Sequence, residues 1–426
     1  MALTASFKLT VKQYDAVNAF INSVMNEEIY VDYPEGMDRP TNIDSPCLLL
    51  LRALYGLKQS PLLWLQEVTS TLLHLGLYPV PGVDCLFTDG SLILFFYVDD
   101  FVLLYRPEDE AKFMEFEAKL LATYEIRSLG NLSWFLGIRI IRNDDKLYLC
   151  QDSYIEKLAE KYSTAVTSLY PKTPLSTDPL VDYDGVATAG QIHAYQQRIG
   201  SLTFAATTTR PDIAFATAKL AQFLTNPSPL HQAAANKVLS YLYHSRYLAI
   251  EYSESKNNPI FLSSSDAAFA DDLKTRKSSF GYLVQLYGGP IDWKASKQPT
   301  VTISSTEAEL LALSETSRQM IWWTRFFNSI QLDTKQPMVI YCDNKQTLSL
   351  VQADIPRLMT RLKHIDIHSC WLRQEVQRRT ITTGWIPTAN MPADGLTKPL
   401  PPQKHQNFVK LINMVDVKHL ITSSAA

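Results

Sequence analysis

Asp99 and Asp100 stand side by side inside SLILFFYVDDFVLLY, residues 91–105, a run otherwise made of apolar and aromatic side chains with one leading Ser. Adjacent carboxylates repel each other, and each is costly to take out of water unless a cation compensates it. A divalent metal is the natural candidate, since carboxylate oxygens are the hard ligands that suit Mg²⁺. The bland alternative is a solvated Asp-Asp turn. Five further acids sit at positions where chemistry is possible: Asp15 closes the β-like run FKLTVKQYD, Asp266 follows PIFLSSS, Asp343 ends PMVIYCD, Glu309 lies in SSTEAELLAL and Asp394 in PADGLTKPL. Structural alternatives stand beside them. Asp15 and Asp343 can each cap a following helix, and Thr306 and Glu309 have capping-box spacing, with Glu307 competing for the functional role.

The elements that must position these acids follow from local pattern. Val, Ile, Phe and Tyr on both sides of Asp99 favour strands, and the arms are too short to cross a bilayer as a helix, so the stretch predicts a tight hairpin with the acids at its bend. A Gly-containing turn at 55–58 leads into an amphipathic helix that ends near Gly76, another helix is expected over 107–124, and a hairpin around 143–146. Residues 163–190, rich in Ser, Thr, Pro and Asp, read as a linker. Ala- and Leu-rich helices follow to 252, with a break at Thr209, Arg210, Pro211 and Asp212 that reads as structural. Beyond 259 come a hairpin turning at Gly288 and Gly289, a helix over SSTEAELLALSETSRQMIWWTRFF, a buried strand PMVIYCD and a helix NKQTLSLVQ. The fold class is α+β, with domains at 1–162, 191–258 and 259–400, the last an α/β domain with a mixed sheet, and a tail at 401–426.

Composition sets the outer limits. The chain has 426 residues, 46% hydrophobic, with a formal charge of -3, so contacts with nucleic acid must come from local patches rather than from net charge. The five cysteines are scattered singly and suit a reducing compartment. The N-terminal stretch lacks the pattern of a secretory leader and no segment reaches membrane-spanning length. The expectation is an intracellular protein of cytoplasm or nucleus, not secreted and without a membrane partner.

Four ordered blocks, DAVNAF at 15–20, ALYGLKQSPLLW at 53–64, YVDD at 97–100 and LGNLSWFLGI at 129–138, together resemble copia-type retrotransposon reverse transcriptase. The resemblance implies a polymerase palm and thumb in which Asp15, Asp99 and Asp100 hold two Mg²⁺ ions, with Mn²⁺ as a possible substitute, for RNA-directed DNA synthesis. It implies that Phe20 packs under the incoming sugar and favours deoxynucleotides. Tyr55, Gly56 and Lys58 match the loop at the nucleotide and template. Phe135, Leu136, Gly137 and Ile138 match the hairpin that holds the primer end, while a plain hairpin explains these four residues almost as well. Members of this family carry a fingers subdomain of about a hundred residues before the first acid. Here that acid is Asp15, so the fingers are expected to be largely missing, and polymerase activity to depend on another chain or upstream sequence.

The later blocks SSSDAAFADD, SSTEAELLAL, YCDN and PADGLTKPL extend the resemblance to a helical connection and a ribonuclease H domain. It implies that Asp266, Glu309, Asp343 and Asp394 hold a second pair of Mg²⁺ ions and cleave the RNA of an RNA–DNA hybrid. RNA template, DNA primer, hybrid and deoxynucleotides are the implied partners. Residues 357–379 carry six Lys or Arg against two acids, interleaved with Trp371, and are the best local nucleic-acid patch, though such helices are often solvated faces. His364 and His368 have zinc-compatible spacing without a supporting Glu or Cys pair. Two readings stand: an active retrotransposon enzyme, and an inactive relic that at most binds nucleic acid or protein.

Overall fold

The computed structural model describes residues 1–40, 44–253, 260–332, 338–353 and 363–423, with the backbone alone at 164, 363–366 and 423. By packing, the chain forms two compact units.

The smaller unit, residues 7–132 with 328–332, is built on one antiparallel sheet. Its strands are β1 (Thr10–Ala16), β2 (Tyr78–Pro79), β3 (Leu86–Thr88), β4 (Leu92–Tyr97), β5 (Asp100–Tyr105) and β6 (Ile126–Asn131), in the order β2-β3-β4-β5-β1-β6. Alternate residues of β4 and nearly all of β5 are buried, because helices α1 (Ser60–His74) and α2 (Glu110–Thr123) lay their apolar stripes on the sheet. Those stripes are Leu63, Trp64, Val68 and Leu72 on α1, and Phe113, Phe116 and Leu120 on α2, at the three- and four-residue spacing of a helix face.

The larger unit, residues 1–6, 133–327 and 333–426, contains two sheets and a helical layer. The first sheet is formed by β7 (Trp134–Phe135), β8 (Ile138–Asn143), β9 (Lys146–Cys150), β10 (Leu248–Ser253) and the late strand β16 (Met414–Asp416), in the order β16-β10-β9-β8-β7. Helices α3 (Asp152–Lys161), α4 (Ala189–Thr208), α5 (Ala214–Ala221) and α6 (Pro229–His244) share one apolar cluster that includes Ile155, Tyr195, Leu220 and Val238.

The second sheet has β11 (Phe261–Ala268), β12 (Ser279–Leu286), β13 (Gly289–Lys297), β14 (Val339–Cys342) and β15 (Thr382–Trp385), in the order β13-β12-β11-β14-β15. The first three form an antiparallel meander, while β14 runs parallel to β11 and β15 parallel to β14. Helices α7 (Ser305–Ser329), α8 (Lys345–Gln352), α9 (Lys363–Gln377) and α10 (Pro402–Leu411) complete this region, with a 3₁₀ turn at Pro392–Leu396. Every residue of β12 is buried, as expected for a strand covered on both faces.

The α+β class holds. The packing boundary falls after Leu132, whereas the sequence pattern runs the first domain to 162; the reason is that β9 pairs with β10, tying residues 134–150 to a strand a hundred residues later. The stretch 163–190 is no loose linker, since Ala165, Leu175 and Ala187 are buried and Leu175 joins the helical cluster. The tail after 400 supplies α10 and β16, and Phe408, Ile412 and Met414 are buried with Leu283 and Leu396.

Gly281 lies opposite Asp266 in the β11–β12 register. A Cβ there would meet the Leu396 Cβ at 2.5 Å and the Lys294 carbonyl at 3.1 Å, so only glycine lets the 3₁₀ turn reach the sheet. Gly281→Ala is expected to lower the stability of the larger unit by about 1–3 kcal/mol, read as an earlier urea midpoint with an unchanged slope.

Candidate active sites

In the smaller unit Asp15 and Asp100 face each other across β1 and β5, and the Ala16 N–H donates to the Asp99 carbonyl at 2.8 Å. The expected hairpin forms, with Tyr97 opposite Asp100. Its turn is therefore Val98–Asp99, and Asp100 is the first residue of the returning strand. Val98 has φ 57° while Asp99 does not share the positive value, the pattern of a II′ turn. A β-branched residue in that region is strained. The Trp64 indole N–H holds it in place, donating to the Val98 carbonyl at 2.6 Å.

All three acids are half-buried. Burial raises the Asp100 pKa, and Asp99 and Asp15 add to the rise, against a hydrogen bond from Gln13. Phe20 packs its ring 4.5 Å from that of Tyr55, whose hydroxyl is pushed up by burial and then by the Asp99 charge. Gly56 has φ +97°, which glycine alone adopts freely, and Lys58 is exposed. The smaller unit thus brings Asp15, Asp99 and Asp100 together at one end of the neighbouring strands β1 and β5, with Tyr55 near enough to feel the Asp99 and Asp15 charges and Phe20 packed on it. Phe135, Leu136, Gly137 and Ile138 belong to the larger unit, where Leu136 and Gly137 form the two-residue turn between β7 and β8 with φ 48° and 79°.

In the larger unit four acids arrive from four elements: Asp266 from β11, Glu309 from α7, Asp343 from the residue after β14, and Asp394 from the 3₁₀ turn. Burial raises Glu309 to about 9, with Asp266 and Asp343 adding repulsion. Burial likewise lifts Asp266 to about 6, with Asp394 and Asp343 adding to it. Glu309, Cys342 and Asp343 offer ligand atoms within 4.8 Å of one another. Burial pushes the Cys342 thiol up, so it stays protonated and is no ligand for a hard cation. The carboxylate oxygens that remain are the donor set Mg²⁺ or Mn²⁺ prefers.

The capping alternatives resolve locally. Ser304 accepts from the Glu307 N–H at 3.2 Å and Glu307 accepts from the Ile303 N–H at 2.9 Å, so Glu307 closes the helix start and Glu309 points inward. Asn344 caps α8, leaving Asp343 to accept from the Thr388 hydroxyl at 2.7 Å. Sequence reasoning missed Thr388, Thr397 and Lys398. Thr397, fully buried, donates its hydroxyl to Asp266, and Lys398 pairs with Asp394. The signal for the last two lay in the GLTKPL block beside Asp394. The basic stretch 357–379 falls partly outside the described residues, as does the His364 side chain, while His368 shares a 2.8 Å hydrogen bond with Ser314. Among the described residues no helix is long and apolar enough to cross a membrane.

A family model described as reverse transcriptase (RNA-dependent DNA polymerase) matches residues 1–176. Over 97% of its length the chain is 33% identical to the retrovirus-related Pol polyprotein from transposon TNT 1-94 of Nicotiana tabacum, covering 32% of that protein. The corresponding polyprotein from transposon RE1 of Arabidopsis thaliana is 32% identical over 96% of this chain, which covers 28% of it. The putative transposon Ty5-1 protein YCL074W of Saccharomyces cerevisiae is 32% identical over 71% of this chain and is covered over 98% of its own length. The chain belongs to the retrovirus-related Pol polyproteins of copia-type transposons. It spans about a third of the length of the first two relatives. Among solved structures, a ribonuclease H1 isolated from compost is similar over 33% of this chain and 94% of its own, at 12% identity and a TM-score of 0.26.

Two predictions follow from the site geometry. Trp64→Phe leaves the Val98 carbonyl without its donor and is expected to cost about 1–3 kcal/mol of the smaller unit's stability, measurable by chemical denaturation. Glu309 has a folded pKa of about 9 against an ordinary 4.5, so its stabilising contribution is full below the lower value and lost as pH rises through the upper one. In chelator the melting temperature should therefore fall by roughly 5 °C between about pH 5 and pH 9. Glu309→Gln flattens that slope, and added Mg²⁺ restores the loss at high pH in the wild type.

Proposed function

We propose that this chain carries a hybrid-cleaving nuclease site at Asp266, Glu309, Asp343 and Asp394 and the palm carboxylates of a reverse transcriptase at Asp15, Asp99 and Asp100. The observation that carries the nuclease reading is the convergence of four acids from four elements, with Glu309 driven up to about 9. A cluster so repelled has use for a divalent cation, and Mg²⁺ or Mn²⁺ would be held by those four carboxylates, with a second set at the palm acids. Bound cations supply Lewis-acid activation of water or primer hydroxyl and neutralise charge on the phosphate.

The protein's own residues do the rest. Thr397 and Thr388 fix the directions of Asp266 and Asp343 by hydrogen bonds, as outer-shell groups do in metal sites generally. Lys398 offsets charge at Asp394. At the palm, Trp64 fixes the turn that carries Asp99. The packed Phe20 and Tyr55 rings form a wall against which a ribose 2′-hydroxyl would clash, which favours deoxynucleotides. Lys58 and Gly56 meet nucleotide and template, and Phe135, Leu136, Gly137 and Ile138 hold the primer end. RNA template, DNA primer and RNA–DNA hybrid are the substrates of this reading, and the protein acts inside the cell.

Labelled-hybrid cleavage and primer extension, run in parallel in Mg²⁺, test it. The chain is expected to cut the RNA strand, and Asp343→Asn to reduce cutting by about a hundredfold or more while leaving primer extension at the parent level. Once upstream sequence or another chain supplies the fingers and extension is detected, Asp99→Asn should abolish it while leaving cutting at the parent level. Cleavage that survives Asp343→Asn would sink the nuclease assignment.

A further inference from the structure

Four buried polar side chains of the larger unit have no part in the chemistry described so far: Arg210, Asp212, Tyr241 and His405. They form one continuous chain. Arg210 and Asp212 make a fully buried pair, with Nη2 to Oδ2 at 2.7 Å and Nε to Oδ1 at 2.9 Å. The Tyr241 hydroxyl lies 2.9 Å from Asp212 Oδ2 and 2.9 Å from His405 Nε2. The hydroxyl has one proton, which goes to the carboxylate, so His405 donates its Nε2–H to the Tyr241 oxygen. Arg210 also binds the Ser245 carbonyl and hydroxyl at 3.1 and 2.7 Å, which anchors the network at the end of α6.

His405 and Phe408 stand three apart on α10, on one helix face. The Phe408 ring is pressed against Gly395, where an added Cβ would lie 2.5 Å from it. Gly395 is the neighbour of Asp394, and its other neighbour, Leu396, is the residue that packs against Gly281 opposite Asp266. The 3₁₀ turn carrying Asp394 is thus clamped between β12 on one side and α10 on the other. Ala214, two residues past Asp212, is buried in the same cluster as Leu396 and Phe408.

We propose that the Arg210–Asp212–Tyr241–His405 chain is a positioning device for the nuclease site, fixing the seat of Asp394 through α10. It rests on the nuclease reading and goes beyond it, because it makes the helical segment before residue 253 a working part of a site whose acids all come later. A buried ion pair is weak evidence for stability alone, since desolvation cancels most of its attraction, whereas a defined register is its best-attested use.

The test is Mn²⁺ titration followed by electron paramagnetic resonance, on the full chain in an Asp15→Asn, Asp99→Asn, Asp100→Asn background that removes the three palm ligands. Tyr241→Phe keeps the ring and cuts the link between Asp212 and His405. It is expected to weaken Mn²⁺ binding about tenfold, as is His405→Phe, whereas His405→Gln, which can still donate to Tyr241, stays near the parent value. Melting curves of the same proteins show whether each is folded. Mn²⁺ affinity unchanged in folded Tyr241→Phe, or lost equally in His405→Gln and His405→Phe, overturns the proposal. Hybrid cleavage by the unmodified chain is a separate measurement, and its absence would remove the nuclease reading without touching the metal-affinity comparison.

Discussion

Mutual repulsion among carboxylates held out of water is the constraint on which the larger unit depends. Asp266, Glu309, Asp343 and Asp394 each arrive on a different element, so their repulsion works to separate β11, α7, β14 and the 3₁₀ turn. Parallel pairing of β11 with β14 resists it from within the sheet. Around the 3₁₀ turn, resistance comes from close approach at Gly281 of β12 and at Gly395 against the Phe408 ring, where side chains would keep the turn away. Thr397 and Lys398 add a hydrogen bond and an opposite charge. The proton that Glu309 retains at neutral pH relieves part of this repulsion, and packing elsewhere opposes the rest.

The smaller unit meets the same difficulty differently. Its three acids stay half-exposed, so water screens them and less architecture is needed to hold them together. What it stores instead is backbone strain, at a β-branched residue with positive φ in the turn. Trp64, wholly buried on α1, answers that strain with one hydrogen bond to the turn carbonyl. A helix thus fixes a turn to which it is not sequentially connected.

Much of this was legible in the chain. The hairpin at 91–105 could be read because β-branched and aromatic residues alternate around a charged turn, and the helix over 60–74 because of Pro61 and its apolar spacing. The choice between Glu307 and Glu309 could not, since Thr306, Ser304 and Ser305 all stand near a helix start and only the three-dimensional start, capped by Ser304, decides which acid turns inward. Residues 163–190 look like a linker because they lack periodicity, yet single apolar side chains such as Leu175 suffice to seat an irregular strand-free segment on helices. Thr388 gave no pattern at all, because a lone hydroxyl acquires meaning only from the carboxylate it faces.

The strand Met414–Asp416 completes its sheet by pairing with Leu248–Ser253, a partner laid down far earlier in the chain. During synthesis on a ribosome, that edge waits unpaired while the whole intervening meander and its helices emerge. An open edge of this kind is a template for wrong pairing, so the order of synthesis leaves the newborn chain a long window in which a neighbouring chain can take the place of its own last strand.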